Sequence, residues 1–286
     1  MKAVRAALAE HRETRGLADV ALEPVTGGLS NHAWRAEQGG RSYFVRLGGP
    51  HSISLGVDRY SERTLLEVVA AAGLAPGLVT CDPANGLLVT EFVAGAPWRR
   101  EDARMPRNVA RIGEILRRLH GMPLPSGIRR ISFRAQARQL EAQLAAAGVA
   151  DPMLARIAES AFDVLRARHD RISVCHNDLH HLNVLDDGAR LWLVDWEYGG
   201  CGDPLFDLAS FASQHESTSE DRAVLLEEAY GDAGVAASTA LGAACTAFDY
   251  VQWLWYRLWV ACNGDADGGY GARAAALEAR LAAAAH

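Results

Sequence analysis

Three oxygen-bearing side chains stand at spacings that phosphoryl transfer requires. The segment Cys175-His176-Asn177-Asp178-Leu179-His180-His181-Leu182-Asn183 reads H-x-D-x-x-x-x-N, and the apolar run Leu193-Val194 follows and ends in Asp195-Trp196-Glu197-Tyr198. Moving a phosphoryl group from a nucleotide needs one group to position the attacking hydroxyl and hard oxygen ligands for Mg²⁺. Asp178 suits the first role, and Asn183 and Asp195 suit the second. His176, two positions before Asp178, is read as a brace for the loop, since a base is already present. His176, His180 and His181 with Asp178 do not match zinc-ligand spacings, and the carboxylate and amide set favours magnesium.

The elements that must carry these residues follow from periodicity. A helix is expected over 3–15 and a strand over 20–25. A hairpin of strands 32–37 and 42–47 should turn at Gly39-Gly40. A helix over 58–73 keeps Leu65, Leu66, Val69 and Ala70 on one face. Strands 77–81 and 87–92 flank Asn85-Gly86, a hairpin signal. Beyond Gly95 the pattern turns helical: Val109, Ile112, Ile115, Leu116 and Leu119 recur at helical spacing, and further helices are expected over 134–147, 153–169, 204–213, 219–230, 235–262 and 271–285. Short strands at 173–175, 184–186 and 191–195 surround the catalytic segment. The expected fold class is α/β (α+β). Residues 1–93 would form a small β-rich N-lobe and 94–286 a larger helical C-lobe, with the boundary near 93–96 and the active site in the cleft between them.

Other candidates gain weight from position. Gly27, Gly28, Leu29, Ser30 and Asn31 follow a strand; their backbone N–H groups suit phosphates. Arg46, on the third strand, is the cation available to a nucleotide there, because the chain has a single lysine, Lys2. Glu62, in the next helix, is positioned to pair with Arg46; Glu67 points to another face. Glu91, Phe92 and Val93 lie where backbone groups would meet an adenine edge. Asp203-Pro204 reads as a helix N-cap with proline at N1. Asp207, inside an apolar helix, is expected to be buried, structural and hydrogen-bonded to the catalytic loop. Tyr256 and Trp259 share a helix face with Asn263 one turn on, while Trp253 and Trp255 are assigned to packing. With Glu197 and Tyr198 they would suit an ammonium group.

Bulk properties narrow the class. The chain has 286 residues, 49% hydrophobic, a net charge of −6 and five scattered cysteines. That balance argues against a nucleic-acid partner, and the cysteines read as reduced thiols in a cytoplasmic protein. The stretch 1–16 is charged and is not expected to be a signal peptide. The aromatic run 250–262 is too short for a membrane span and carries Arg257.

Taken together, these motifs resemble the choline/ethanolamine kinase family within the aminoglycoside phosphotransferase-like kinases. Gly27-Gly28-Leu29-Ser30-Asn31 is similar to its phosphate loop, Arg46 to its third-strand arginine, and Arg59…Glu62 followed by Gly73-Leu74-Ala75-Pro76 to its helix region. His176-Asn177-Asp178 through Asn183 is similar to its catalytic loop, and Asp195-Trp196-Glu197-Tyr198 to its metal-binding segment. The resemblance implies a protein-kinase-like fold and transfer of the γ-phosphate of Mg-ATP to a small, cationic alcohol. Asp178 would be the base, Asn183 and Asp195 the Mg²⁺ ligands, and Tyr198, Tyr256 and Trp259 the walls around the ammonium. Tryptophan is usual where Tyr256 aligns, and glutamine near Asn263 and His180. Relatives of similar pattern act on thiamine, aminoglycosides, methylthioribose or sugars. A nucleotide-binding pseudokinase or adaptor is the rival of another class. A monomer or homodimer is expected.

Overall fold

The computed structural model describes residues 1–25, 31–48, 57–168, 171–265 and 268–284. The expected phosphate-loop residues Gly27–Ser30 lie outside the described residues. The order of elements is α1 (Lys2–Glu10), β1 (Leu22–Pro24), β2 (Asn31–Gln38), β3 (Arg41–Gly48), α2 (Arg59–Ala71), β4 (Leu78–Asp82), β5 (Leu87–Glu91) and β6 (Ala96–Pro97). Next come α3 (Arg100–Ala103), α4 (Pro106–His120), α5 (Phe133–Ala146), α6 (Pro152–Arg166), β7 (Ser173–Cys175), β8 (Val184–Asp186) and β9 (Leu191–Leu193). The last are β10 (Gly200–Gly202), α7 (Leu205–His215), α8 (Ser219–Tyr230), α9 (Val235–Asn263) and α10 (Gly269–Ala283).

The chain divides into two compact units. The first holds Met1–Asp102, Met122–Arg129 and His176–Cys201, and the second holds Ala103–Gly121, Arg130–Cys175 and Gly202–His286. The sequence divides near 93–96; in the structure the catalytic segment groups with the N-terminal strands. Local pairing accounts for this, since β6 pairs with β8 and β8 with β9 in a small antiparallel sheet, and Leu193 N–H donates to Leu74 O.

The main sheet of the first unit has the order β1-β2-β3-β5-β4, all antiparallel. Gly39 and Gly40 adopt φ of +59° and +75°, which a two-residue hairpin demands and glycine supplies without steric cost. Successive side chains of a strand face opposite sides. Val45 therefore joins the core of Val4, Leu8, Leu17, Trp34, Leu87 and Val89, with Tyr43 and Leu47 packed against it. Arg46 is turned to the other face. It is the strand alternation, then, that aims a cation away from the apolar core. Helix α2 starts at Asp58, whose side chain accepts from Tyr60 N and Ser61 N, and it buries Leu65, Leu66 and Val69.

In the second unit α9 is the central helix, packed by α5, α6, α7 and α10, while α4 packs on α8. Phe133 stacks on Phe206 at 3.9 Å between centroids and tilts against Phe248. Arg280 of α10 pairs with Asp249 of α9 and donates to Ser213 O. Helix α7 begins at Leu205 rather than 204; Asp203 accepts from Leu205 N, so Pro204 stands just before the first helical turn. The helix expected over 3–15 stops at Glu10 and gives way to a short turn at Arg15–Ala18. None of the five cysteines, all among the described residues, forms a disulfide.

Candidate active site

The catalytic segment leaves β7 and folds back by short-range hydrogen bonds. Asn183 Nδ2 donates to the Asp178 backbone oxygen at 2.9 Å and lies 3.5 Å from its carboxylate. Val194 N–H donates to Asn183 O, and His176 Nε2–H donates to Val194 O at 2.9 Å. These bonds strap the loop of Asp178 to the turn of Asp195. His176 is fully buried and packs against Trp196 at 4.6 Å. The strand expected over 191–195 ends at Leu193, because Asp195 takes a left-handed conformation with φ of +63°. Asn177 shares that conformation and donates through Nδ2 to Tyr198 O. Gly199 then passes close to α2: a Cβ there would lie 2.3 Å from Leu65 Cδ2.

A buried chain of charges backs this turn. Arg46 Nη2 and Arg59 Nη1 both donate to Glu62 Oε2, at 2.8 and 2.7 Å. Arg46 Nη1 reaches Asp195 at 3.5 Å, and Arg59 Nη2 reaches Glu197 at 3.4 Å. Arg46, Arg59, Glu62 and Glu197 are all buried. Burial alone would depress the Arg46 pKa, but Glu62, Asp195 and Glu197 overcome it and raise it. Burial would likewise raise Glu62, and its two arginines hold it below the ordinary carboxylate range. Arg129 donates to Glu197 O and Gly199 O, and its backbone N–H donates to Ser61 Oγ of α2. Burial lowers its pKa.

The carboxylates of the two loops are pushed the other way. Desolvation, then Glu197, raise Asp178 to about 6 against the opposing pull of His176 and Asn183. Desolvation, then Glu197, with Glu62 and Asp178, raise Asp195 to about 7 against Arg46. The Asp195 side chain is still 42% exposed and that of Asp178 24%, so both oxygens are accessible. Hard oxygens crowded until ionisation is costly fit a divalent cation, which relieves that crowding. The sign for stability follows. A carboxyl raised above its unfolded value lends stability below that value, near 4, and loses it as pH climbs through 6–7. Mg²⁺ is therefore expected to raise the melting temperature more at about pH 8 than at about pH 5, where protons hold the same oxygens. Differential scanning fluorimetry reads this; an equal Mg²⁺ effect at both pH values would refute it.

The remaining expected residues fall as follows. Asn31 opens β2 opposite Gly48. Glu91 N–H donates to Gly77 O and Phe92 N–H to Ser42 O, so both amides are spent on the first unit, and Val93 follows β5. Glu67 pairs at the surface with Arg63. In the second unit Asp207 is fully buried and 2.9 Å from His120 Nε2; the other ring nitrogen of His120 lies 3.1 Å from the Tyr230 hydroxyl. Tyr256 and Trp259 belong to an aromatic cluster on α9 and α10. Trp255, read as packing apart from them, stacks on Trp259 at 5.4 Å and meets Tyr256 edge-on, one helical turn and one residue away. Tyr270 touches all three rings, at 5.4 to 5.9 Å. Trp253 is buried as expected. Asp265 caps α10 by accepting from Tyr270 N and Gly271 N.

Against known families, the phosphotransferase enzyme family model matches residues 21–241. The chain belongs to this family. Among solved structures, the phosphotransferase is similar to a choline/ethanolamine kinase family protein from Mesorhizobium loti, with 29% identity, 98% of this chain and 92% of that chain covered, and a TM-score of 0.80. Choline kinase LicA from Streptococcus pneumoniae shares the fold at 20% identity, with 99% and 98% covered and a TM-score of 0.78. The phosphotransferase thus has the mixed α/β, protein-kinase-like fold of these kinases. Protein LicA of Haemophilus influenzae is 45% identical over 53 residues, a match spanning 18% of this chain and 20% of that protein. No helix among the described residues is long and apolar enough to cross a membrane.

The sequence left the parts of Arg59, Arg129, His120 and Tyr270 in this phosphotransferase unassigned, and it put Trp255 in packing apart from the Tyr256 and Trp259 rings that it meets. Arg59 had a usable signal, three positions before Glu62 and thus on its face of α2. Arg129 lies between helices, where no periodicity speaks for it.

Proposed function

We propose that this phosphotransferase moves the γ-phosphate of Mg-ATP to the hydroxyl of a small amino alcohol, choline or ethanolamine being the best candidates. One observation carries the reading. Asp178, Asn183 and Asp195 are strapped together by backbone and side-chain bonds, with Arg46 held on Asp195 by a buried glutamate. The likeness to the Mesorhizobium loti choline/ethanolamine kinase family protein supports the acceptor class.

In this reading Asp178 takes or orients the hydroxyl proton, and its raised pKa brings it toward the working pH of a general base. Asn183, whose Nδ2 is turned to the Asp178 backbone, offers its amide oxygen to Mg²⁺ beside the Asp195 carboxylate. Bound Mg²⁺ supplies neutralisation of charge on the phosphate oxygens. Arg46 and the loop Gly27–Asn31 hold those oxygens. With the Glu91 and Phe92 amides spent on the sheet, the adenine edge falls to Val93 and to the carbonyls of 91–93. The family resemblance proposes Tyr256 and Trp259 as aromatic faces toward the acceptor ammonium, and separately Tyr198 and Glu197 as an aromatic ring and an acid that suit it. A cytoplasmic monomer or homodimer is the expected form.

A second reading keeps the chemistry and changes the acceptor to thiamine, an aminoglycoside, methylthioribose or a sugar. Its support is the guanidinium of Arg273, which lies 5.9 Å from the Tyr256 ring and 5.8 Å from the Tyr270 ring, so a resident cation already faces these rings. A pseudokinase has no need of the full set Asp178, Asn183 and Asp195. The test is ADP release with Mg-ATP over choline, ethanolamine, thiamine, aminoglycosides and methylthioribose. Saturable turnover on choline or ethanolamine alone is the expected result. Turnover on another member alone overturns the acceptor, and tight ATP binding with no turnover favours the binding protein.

A further inference from the structure

We infer that Arg59 is a positioning residue for the phosphoryl-transfer site, holding Glu197 beside Asp195 through the Glu62 oxygen that it shares with Arg46. The inference rests on the reading of Asp195 as a metal ligand.

Two guanidiniums converge on one oxygen, Glu62 Oε2, at 2.8 and 2.7 Å. Each then extends its second nitrogen to a different acid of the same turn, Arg46 to Asp195 and Arg59 to Glu197. The side chains of Arg46, Arg59 and Glu62 are 4%, 7% and 0% exposed. One buried carboxylate thereby sets both ends of the segment 195–197. The segment needs such support, because Asp195 is a non-glycine residue in the left-handed region, a conformation that persists where its surroundings over-determine it. The backbone of Glu197 is fixed separately by Arg129. Arg59 acts on the carboxylate itself.

The chemistry demands arginine. One nitrogen of the fork serves Glu62 and another serves Glu197, a division that the single ammonium of lysine does not reproduce. Charge alone makes the opposite prediction. Arg46 and Arg59 stand against the carboxylates of Glu62, Asp195 and Glu197. Deleting a positive charge from this set would draw a divalent cation in more tightly if positioning were irrelevant.

The test uses the full chain, with Mn²⁺ as probe in the presence of ADP, free Mn²⁺ being read by electron paramagnetic resonance. Arg59→Lys and Arg59→Gln are expected to weaken Mn²⁺ binding by about ten-fold, the scale of loss when a supporting partner behind a metal site is removed. ADP affinity without metal should stay unchanged, and the Mg²⁺ needed for half-maximal turnover should rise in step. Wild-type Mn²⁺ affinity in Arg59→Lys, or tighter binding in Arg59→Gln, overturns the inference. Arg59→Lys keeps the buried charge and so keeps the test available if Arg59→Gln does not fold. Asp195→Asn separates the two claims. Unchanged Mn²⁺ binding there refutes the metal reading, whereas loss there with none in the Arg59 variants refutes the positioning role alone.

Discussion

Asp178→Asn is expected to lower kcat by about 10³-fold, within the range that a positioned general base contributes, and to leave nucleotide affinity nearly unchanged. The loop survives the change, because the shorter Asn183 bond goes to the backbone oxygen of residue 178 and not to its side chain. The fold should not suffer either. Desolvation and the neighbouring Glu197 make ionised Asp178 costly, and an amide removes that cost at neutral pH. The variant should therefore melt at or above the temperature of the parent while failing to turn over. Single-turnover and steady-state rates with a productive acceptor check it, alongside a melting curve. Turnover within ten-fold of the parent, by that order of magnitude, would remove Asp178 from the chemistry.

Glu62→Ala is expected to destabilise the protein by about 3–5 kcal/mol, the cost of taking one partner from a buried ion pair. The substitution strips the shared acceptor from two guanidiniums whose side chains are only 4% and 7% exposed. They then face each other in a site already short of water. Urea unfolding should show a lower midpoint at unchanged slope. The nucleotide KM should rise as well, since Arg46 loses the contact that aims it at Asp195. A Glu62→Ala protein with parental stability would mean that the arginines find other partners, and the charge chain would lose its claim on the site.

Most of the strand and helix pattern was legible in the sequence because each element reports its own environment. Val45 and Arg46 fall on opposite faces of β3 by alternation alone, and Gly39-Gly40 announces its turn. The short strands that flank Asp178, at Ser173–Cys175 and Val184–Asp186, were legible for the same reason. The end of β9 was missed. Two extra residues looked like strand, and the left-handed turn at Asp195 that ends it comes from the straps made by His176 and Asn183.

By itself the sequence offered the candidate set: Asp178 as the proposed base, Asn183 and Asp195 as the proposed oxygen ligands, and Arg46 with Glu62, in an order that resembles one family. The tertiary structure alone decided how those charges are shared. It placed Arg59 on both Glu62 and Glu197, Arg129 on the carbonyls after Asp195, His120 on Asp207, and Tyr270 among Trp255, Tyr256 and Trp259. Apart from the Arg59–Glu62 pair within α2, each of these contacts joins residues that no single periodicity relates. Periodicity records which face of an element is buried, and it carries no record of which distant element will cover that face.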